Sequence, residues 1–580
     1  MIGRAVSFTI VGVEGVRIRV EVAILSGLPA FTIVGLPDTA VSESRERIRA
    51  AFASAHIPFP VGKVTVNLSP ADIPKSGTGL DMPIAVGILR AMKGGEGNTG
   101  IGFIGELGLD GGIRPVRGVL PAAVAAHRLG LEGLIVAQGN RREAELSGIK
   151  VRAVRNLQEL ADIHYVHNPF DEPFLCEAEP GQIASLSPHS SADTYTRELK
   201  AAESSASSSE RSSAQLTSRS STQASAQSSS RDVSPDASDT FSPDTEQINP
   251  TSGNLAGSSH TQTNETPDMS DIRGQGMARR IVEISAAGGH HLLMVGSPGV
   301  GKSMLASRIP GILPPLTREE AVETASIQSI LGTFDGTLSM QPPFSAPHHT
   351  SSPTSLVGGG SIPRPGAITQ AHNGVLFLDE LPEFPGRALQ ALREPLETGM
   401  VRIHRVKAHY TYPALFHMVA AGNPCPCGKF LDNQRQCECS VRQRQNYWGK
   451  VGGPFMDRCD LRIILRRPTL RELEDRHIPE SSASIRERIV EARERQTRRY
   501  KEFAWNVNAR IPPGWLHKNI RLTEGVEEQL TSLITRGVIS MRGADKILRL
   551  AWSLADLDGA DSPQTLHFSE ALTLRSQKVM

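Results

Sequence analysis

The segment Gly296-Ser297-Pro298-Gly299-Val300-Gly301-Lys302-Ser303 constrains the fold of this chain more than any other stretch. It follows an apolar run, Leu292 to Val295, and leads into a helix-forming run, Met304 to Ile309. Glycines in that setting let backbone N–H groups wrap a phosphate, and the positive end of the helix adds to the attraction. Strand, phosphate loop and helix in this order mark an α/β nucleotide-binding unit. Gly296, Ser297, Pro298, Gly299, Val300 and Gly301 are the expected cradle. Lys302 is expected to reach the β- and γ-phosphates of ATP, and the Ser303 hydroxyl to hold Mg²⁺.

Two later stretches fit the same unit. Val375-Leu376-Phe377-Leu378 reads as a buried strand that ends in Asp379-Glu380. Nucleotides bind at the carboxyl ends of such strands, so Asp379 is expected to hold Mg²⁺ through water and Glu380 to polarise the attacking water. A third apolar strand, Phe416 to Ala420, runs into Ala421-Gly422-Asn423. The Asn423 amide there can orient that water beside the γ-phosphate.

A chain of 580 residues is too long for one core, so two or three domains are expected. From about Ser185 to Pro267 Ser, Thr, Gln, Asp and Ala dominate, with almost no aromatics. Such a segment buries too little apolar surface to offset chain entropy and reads as a disordered linker. The divisions read as 1–166, an α/β block; 167–267, the linker; 268–467, the nucleotide-binding core; and 468–580, a helical region.

In the first block Lys63 to Leu68 alternates as a strand and Asp81 to Met92 reads as an apolar helix. Phe103–Leu109 and Ile113–Val116 flank the hairpin signal Asp110-Gly111-Gly112. Pro121 to Leu129 reads as a helix, Leu134 to Ala137 as a buried strand, and Asn156 with Glu159 as a capping box. In the last region Ser484-Ile485-Arg486-Glu487 reads as a capping box opening a basic helix to about Glu502, followed by helices over Leu530–Ile539 and Gly543–Leu557.

With 39% hydrophobic and 21% charged residues and a net charge of +1, the chain is an ordinary globular one, but arginine is dense between Arg442 and Arg499. No run of eighteen apolar residues occurs, so no membrane association is expected. The N-terminus opens with strand-like alternation at Val6, Phe8 and Ile10 rather than with a signal peptide, which points to the cytoplasm. Cys425, Cys427, Cys437 and Cys439 put four thiols in a short stretch, as tetrahedral Zn²⁺ requires, although zinc sites usually use wider C-x₂₋₄-C knuckles. Reduced thiols without metal are the alternative; Cys176 and Cys459 read as lone thiols. His348-His349, adjacent on an extended loop, should point opposite ways and play a structural part.

Ala346-Pro347-His348-His349-Thr350-Ser351-Ser352, Gly358-Gly359-Gly360, Ala371-His372-Asn373-Gly374 with the following Val375–Phe384, and Asn423-Pro424-Cys425-Pro426-Cys427-Gly428 together resemble the ComM/YifB family of magnesium-chelatase-like AAA+ ATPases. The resemblance covers both structured blocks. It implies an α/β chain in which a Lon-protease-like (ribosomal S5 domain 2-like) domain of ChlI type precedes an AAA+ P-loop module and a helical lid. For the ComM branch it implies an ATP-dependent hexameric ring acting on single-stranded or branched DNA, as a branch-migration helicase in natural transformation and recombination.

The resemblance also assigns roles. Arg458, in Met456-Asp457-Arg458-Cys459-Asp460, matches the arginine finger that reaches a neighbour's γ-phosphate, and Arg542 matches the second sensor arginine, with Arg549 as a rival. Arg402-Ile403-His404-Arg405-Val406-Lys407-Ala408-His409-Tyr410 matches a pore hairpin, in which Arg402, Arg405 and Lys407 suit a phosphate backbone with bases stacked beside it. Where a Lon protease needs a serine and a lysine, this chain has Gly79 and Leu120, so no protease activity is expected. The competing expectation is a metal-chelatase-type motor or a remodelling factor that does not act on DNA.

Overall fold

The structure, a computed structural model, describes residues 2–94, 98–163, 170, 267–360, 363–405, 408–432, 436–474 and 479–576. The low-complexity stretch from Ser185 to Thr266, Cys176 and Lys407 lie outside the described residues.

In the N-terminal block seven strands form one sheet, in the order β3-β4-β2-β1-β5-β8-β9. They are β1 (Ile2–Val11), β2 (Glu14–Leu25), β3 (Ala30–Val34), β4 (Lys63–Ser69), β5 (Ile101–Ile104), β8 (Gly133–Ala137) and β9 (Val151–Val154). The alternation expected for β4 is present, with Val64, Val66 and Leu68 fully buried. Helix α1 (Thr39–Ser54), helix α2 (Asp81–Lys93) and helix α3 (Val119–Arg128) pack on this sheet. Helix α2 is buried from Asp81 to Ala91, which explains its unbroken apolar sequence. The Asp110-Gly111-Gly112 turn does form a hairpin, from the short strands β6 (Glu106–Leu107) and β7 (Ile113–Arg114), while Phe103 belongs to β5 in the main sheet. Asn156 caps the following helix by accepting the Glu159 N–H at 2.8 Å, but Glu159 returns its bond to Arg155 rather than to Asn156.

The second block is built on a parallel five-stranded sheet, order β11-β14-β17-β10-β18. Its strands are β10 (Leu292–Gly296), β11 (Phe344–Ser345), β14 (Val375–Leu378), β17 (His417–Gly422) and β18 (Leu461–Leu465). A small ladder, β12 (Gly358–Gly359) with β13 (Arg364–Pro365), and the hairpin β15 (Met400–Arg405) with β16 (Ala408–Pro413) stand outside it. Helix α4 (Gly276–Gly288) and helix α5 (Lys302–Ile312) cover the sheet, whose core strands are fully buried, while helix α6 (Arg318–Leu331) packs on α3 of the N-terminal block. Parallel strands covered on both faces need such uninterrupted apolar runs.

The C-terminal helices include helix α7 (Ser482–Arg499), helix α8 (Met541–Leu557) and helix α9 (Thr565–Ser576). The cap of α7 lies one turn earlier than the sequence suggests. Ser481 accepts the Ser484 N–H, and the Asp268 carboxylate accepts the Ser482 N–H at 3.0 and 3.1 Å. A contact from the start of the second block thus chooses between two serine caps. The arginines of α7 do not form a free basic face. Arg488 pairs with Glu283 and Glu480, Arg493 donates to Ala286 O, Arg495 donates to Asp556 O, and Arg499 stacks over Trp552 and pairs with Asp556.

The described residues on either side of the low-complexity stretch pack as one unit. Glu143 accepts hydrogen bonds from the Ser329 hydroxyl on α6 and from Leu120 N–H. The turn between β1 and β2 lies against Thr411 of the hairpin. Among the described residues no helix is long and apolar enough to cross a membrane.

Candidate nucleotide site and cysteine cluster

The phosphate loop leaves β10 at Gly296 and enters α5 at Lys302. Gly299 and Gly301 take φ of 78° and 93°, where a side chain would be strained, and each faces open space. Lys302 Nζ donates to Gly296 O (2.7 Å), Ser297 O (3.0 Å) and Asn423 Oδ1 (3.1 Å). Burial lowers the Lys302 pKa, opposed by the charges of Asp379, Glu380 and Asp432. The Ser303 hydroxyl donates to Asp379 Oδ2 at 2.7 Å, which places both expected Mg²⁺ ligands side by side. Ser297 Oγ is buried without a hydrogen-bond partner, a donor left over for a ligand oxygen. Lysine, hydroxyl, carboxylate and amide therefore converge at the carboxyl ends of β10, β14 and β17, and they fit a Mg²⁺-bound triphosphate.

Glu380 follows Asp379 in the left-handed region, with φ of 52°. Its Oε2 lies 2.8 Å from His349 Nδ1. His349 and His348 do not point opposite ways: their rings lie 4.1 Å apart at 33°. Sequence reasoning missed this partner because nothing local ties residue 349 to residue 380; only the sheet brings the two loops together.

The four cysteines converge as expected. Their ligand atoms all lie within 4.8 Å of one another. Three of the separations are 3.4 Å (Cys425–Cys427), 3.7 Å (Cys425–Cys437) and 3.6 Å (Cys427–Cys437). A tetrahedral site with Zn–S near 2.3 Å demands about 3.8 Å between sulfurs, so the donor set fits Zn²⁺ despite its C-x-C spacing. The backbone N–H of Lys429 lowers the Cys427 thiol to about 6, whereas burial pushes the Cys425 thiol up, so a bound metal would have to draw Cys425 into the thiolate form. The cluster adjoins the phosphate loop: a Cβ on Gly428 would meet Pro298 Cδ at 2.6 Å.

Arg458 is not free in the single chain. It pairs with Glu397 and donates to Pro454 O at 2.8 Å. Arg549 turns inward and donates to Ile511 O at 2.8 Å, whereas Arg542 is exposed in the first turn of α8. Helix α8 crosses beneath the amino ends of the strands: Ser553 Oγ lies 2.7 Å from His290 Nε2 before β10, and Lys546 Nζ lies 2.9 Å from Asp460 Oδ1 before β18.

In the hairpin, direct cross-strand partners are Arg402 with Thr411, Ile403 with Tyr410, and His404 with His409. Alternation therefore puts Arg402 on one face and Arg405 on the other. Arg405 donates to Gly360 O at 2.8 Å, and Tyr410 packs with Ile403 on the core rather than standing free for a base. His404 Nδ1 and His409 Nδ1 lie 2.8 Å apart. In the N-terminal block Leu120 is fully buried and the site around Gly79 is lined by Ile104 and Val116.

Residues 268–473 match the family described as magnesium chelatase, subunit ChlI; residues 20–140 match subunit ChlI of Mg-chelatase; and residues 479–575 match its C-terminal part. An uncharacterized protein of Mycobacterium tuberculosis H37Rv is 37% identical over 99% of this chain and 98% of its own length. Uncharacterized protein YifB of Escherichia coli K12 is 35% identical over 97% of this chain and 95% of its own. Competence protein ComM of Haemophilus influenzae is 35% identical over 97% of this chain and 96% of its own. The chain belongs to the ComM/YifB family of magnesium-chelatase-like AAA+ ATPases. A ComM/YifB chain also carries a Lon-like part: 111 residues are 30% identical to Lon protease 2 of Bacillus subtilis, covering 19% of this chain.

Proposed function

We propose that this chain is an ATP-hydrolysing motor that assembles into a hexameric ring and acts on single-stranded or branched DNA. The observation that carries the ATPase reading is the convergence of Lys302 with Asn423 and of Ser303 with Asp379. In this reading the loop 296–301 and Lys302 bind the phosphates, Ser303 and Asp379 hold Mg²⁺, and Glu380 and Asn423 hold the attacking water. Mg²⁺ supplies charge neutralisation between the β- and γ-phosphates. Arg458, as the arginine finger, serves the nucleotide of a neighbouring subunit, and Arg542, exposed at the start of α8, serves as the second sensor arginine. The cysteines hold one Zn²⁺ beside that loop.

The DNA reading is supported by full-length similarity to a competence protein and by the basic hairpin. The domain division follows as a non-catalytic Lon-like block (1–166), a linker (167–267), an AAA+ core (268–467) and a helical lid (468–580). A second reading, a chelatase-type motor not acting on DNA, is favoured by the chelatase descriptions that match all three segments.

ATPase activity with and without single-stranded and forked DNA separates the two. Stimulation by DNA supports the first reading; turnover indifferent to DNA at all concentrations favours the second. Lys302→Ala and Glu380→Gln should both abolish turnover, but Lys302→Ala should also weaken ATP binding, whereas Glu380→Gln should trap bound ATP. Near-wild-type turnover in either variant removes the assigned site.

A further inference from the structure

The segment Asp457-Arg458-Cys459-Asp460 is held by two cations from the C-terminal helices of its own chain. Lys546, on α8, pairs with Asp460 Oδ1 at 2.9 Å and donates to Asp457 O. Arg575, on α9, donates to Cys459 O and to Asp460 O, the latter at 3.1 Å, and lies 3.9 Å from Asp457 Oδ1. From the core side, His291 N–H donates to Asp460 Oδ2 at 3.0 Å, and Asp460 N–H donates to His291 O at 2.8 Å. Asp460 is thus a buried carboxylate shared between the sheet and the lid. Although burial favours its neutral form, Lys546 and His290 hold its pKa well below the usual carboxylate range.

Two flanking cations on either side of an arginine are not required to stabilise a surface loop. Packing of α9 against α8 and against β18 already closes that edge. What the cations do fix is the backbone from residue 457 to residue 460, and with it the direction in which the Arg458 side chain leaves the chain. Arg542 stands one helical turn before Lys546 on the same rigid helix, so both arginines are tied to the placement of α8.

We infer that Lys546 and Arg575 are positioning residues for Arg458, through which the lid of one subunit sets how its arginine meets the nucleotide of the next. This rests on the reading of Arg458 as an arginine finger. A lid that shifts on α4 and α7 carries Lys546 with it, and the backbone carbonyls of 457 and 459 follow. The Glu397 pairing then holds the guanidinium of an unassembled chain until a neighbour's phosphate replaces the carboxylate.

The test is a double-mutant cycle on ATP turnover of the assembled full-length protein, using Lys546→Gln, Arg575→Gln, Arg458→Ala and the two pairs with Arg458→Ala. Each glutamine variant should lower kcat by about tenfold and leave KM for ATP within about twofold, because neither residue touches the phosphate loop. In the Arg458→Ala background neither should lower kcat further, since each acts through an arginine already absent. Lys546→Arg, which keeps the cation, should retain most of the turnover and serves if Lys546→Gln does not fold. Losses that add to that of Arg458→Ala, or glutamine variants with wild-type kcat while Arg458→Ala is inactive, overturn the positioning role alone. Wild-type turnover in Arg458→Ala removes the finger reading itself.

Discussion

His349 Nδ1 stands 2.8 Å from the Glu380 carboxylate, so the residue expected to polarise water has a partner outside its own loop. Glu380 holds the left-handed φ of 52°, a conformation that costs energy for a residue with a side chain and persists where the surroundings enforce it. Asp379 supports it locally, because its Oδ1 accepts the Glu380 N–H at 2.9 Å. The carboxylate is thus turned toward the His348-His349 loop while the Ser303 hydroxyl donates to Asp379 Oδ2.

Removing that partner should release Glu380 toward the phosphates. His349→Ala and His349→Asn should raise basal turnover by about threefold, matching the loss of one partly exposed hydrogen-bonded contact of ~0.7 kcal/mol. KM for ATP should stay unchanged, because His349 touches none of the phosphate-binding groups. A fall in kcat instead would mean that His349 aims Glu380 at the water rather than holding it aside.

The cysteine cluster should bind one Zn²⁺ per chain. The sulfurs already stand near tetrahedral separation, so little ordering is left for the metal to impose. Elemental analysis of protein prepared without chelator should give a ratio of about one, and any single Cys→Ser change within the four should lower it. Because Gly428 packs on Pro298, stripping the metal should also weaken nucleotide binding. A ratio near zero with normal ATP binding means plain thiols.

DNA binding through the hairpin should show in its salt dependence. Alanine at Arg402, Arg405 and Lys407 together should flatten the log–log salt slope on single strands by about 2, or about 0.7 for each phosphate no longer neutralised. Arg402 and Arg405 lie on opposite faces, and Arg405 also holds Gly360 O, so the single variants should differ. Arg402→Ala should change the slope alone, while Arg405→Ala should also alter basal turnover through the loop it anchors. Affinity and slope unchanged in the triple variant leave the hairpin as a solvated surface.

Short-range pattern determined much of this protein. Asn423 is legible only from its order after the nucleotide-site motifs and the cysteines only from their spacing, whereas the phosphate loop and the Asp379-Glu380 strand end are legible within a few residues, because the backbone geometry they need is itself local. The same holds for the alternation of β4 and the apolar run of α2, which follow from burial on one face or on both. Tertiary structure decided what depended on distant partners. It moved the cap of α7 to Ser481 through Asp268, and turned the arginines of that helix into internal ties to Glu283, Asp556 and backbone carbonyls. It set Arg402 and Arg405 on opposite faces, paired His349 with Glu380, and bound Asp460 to Lys546. Charged side chains are long and find partners wherever the fold brings opposite charge and carbonyls within reach, so their roles are written in the packing of the sheet and lid rather than in any window of sequence.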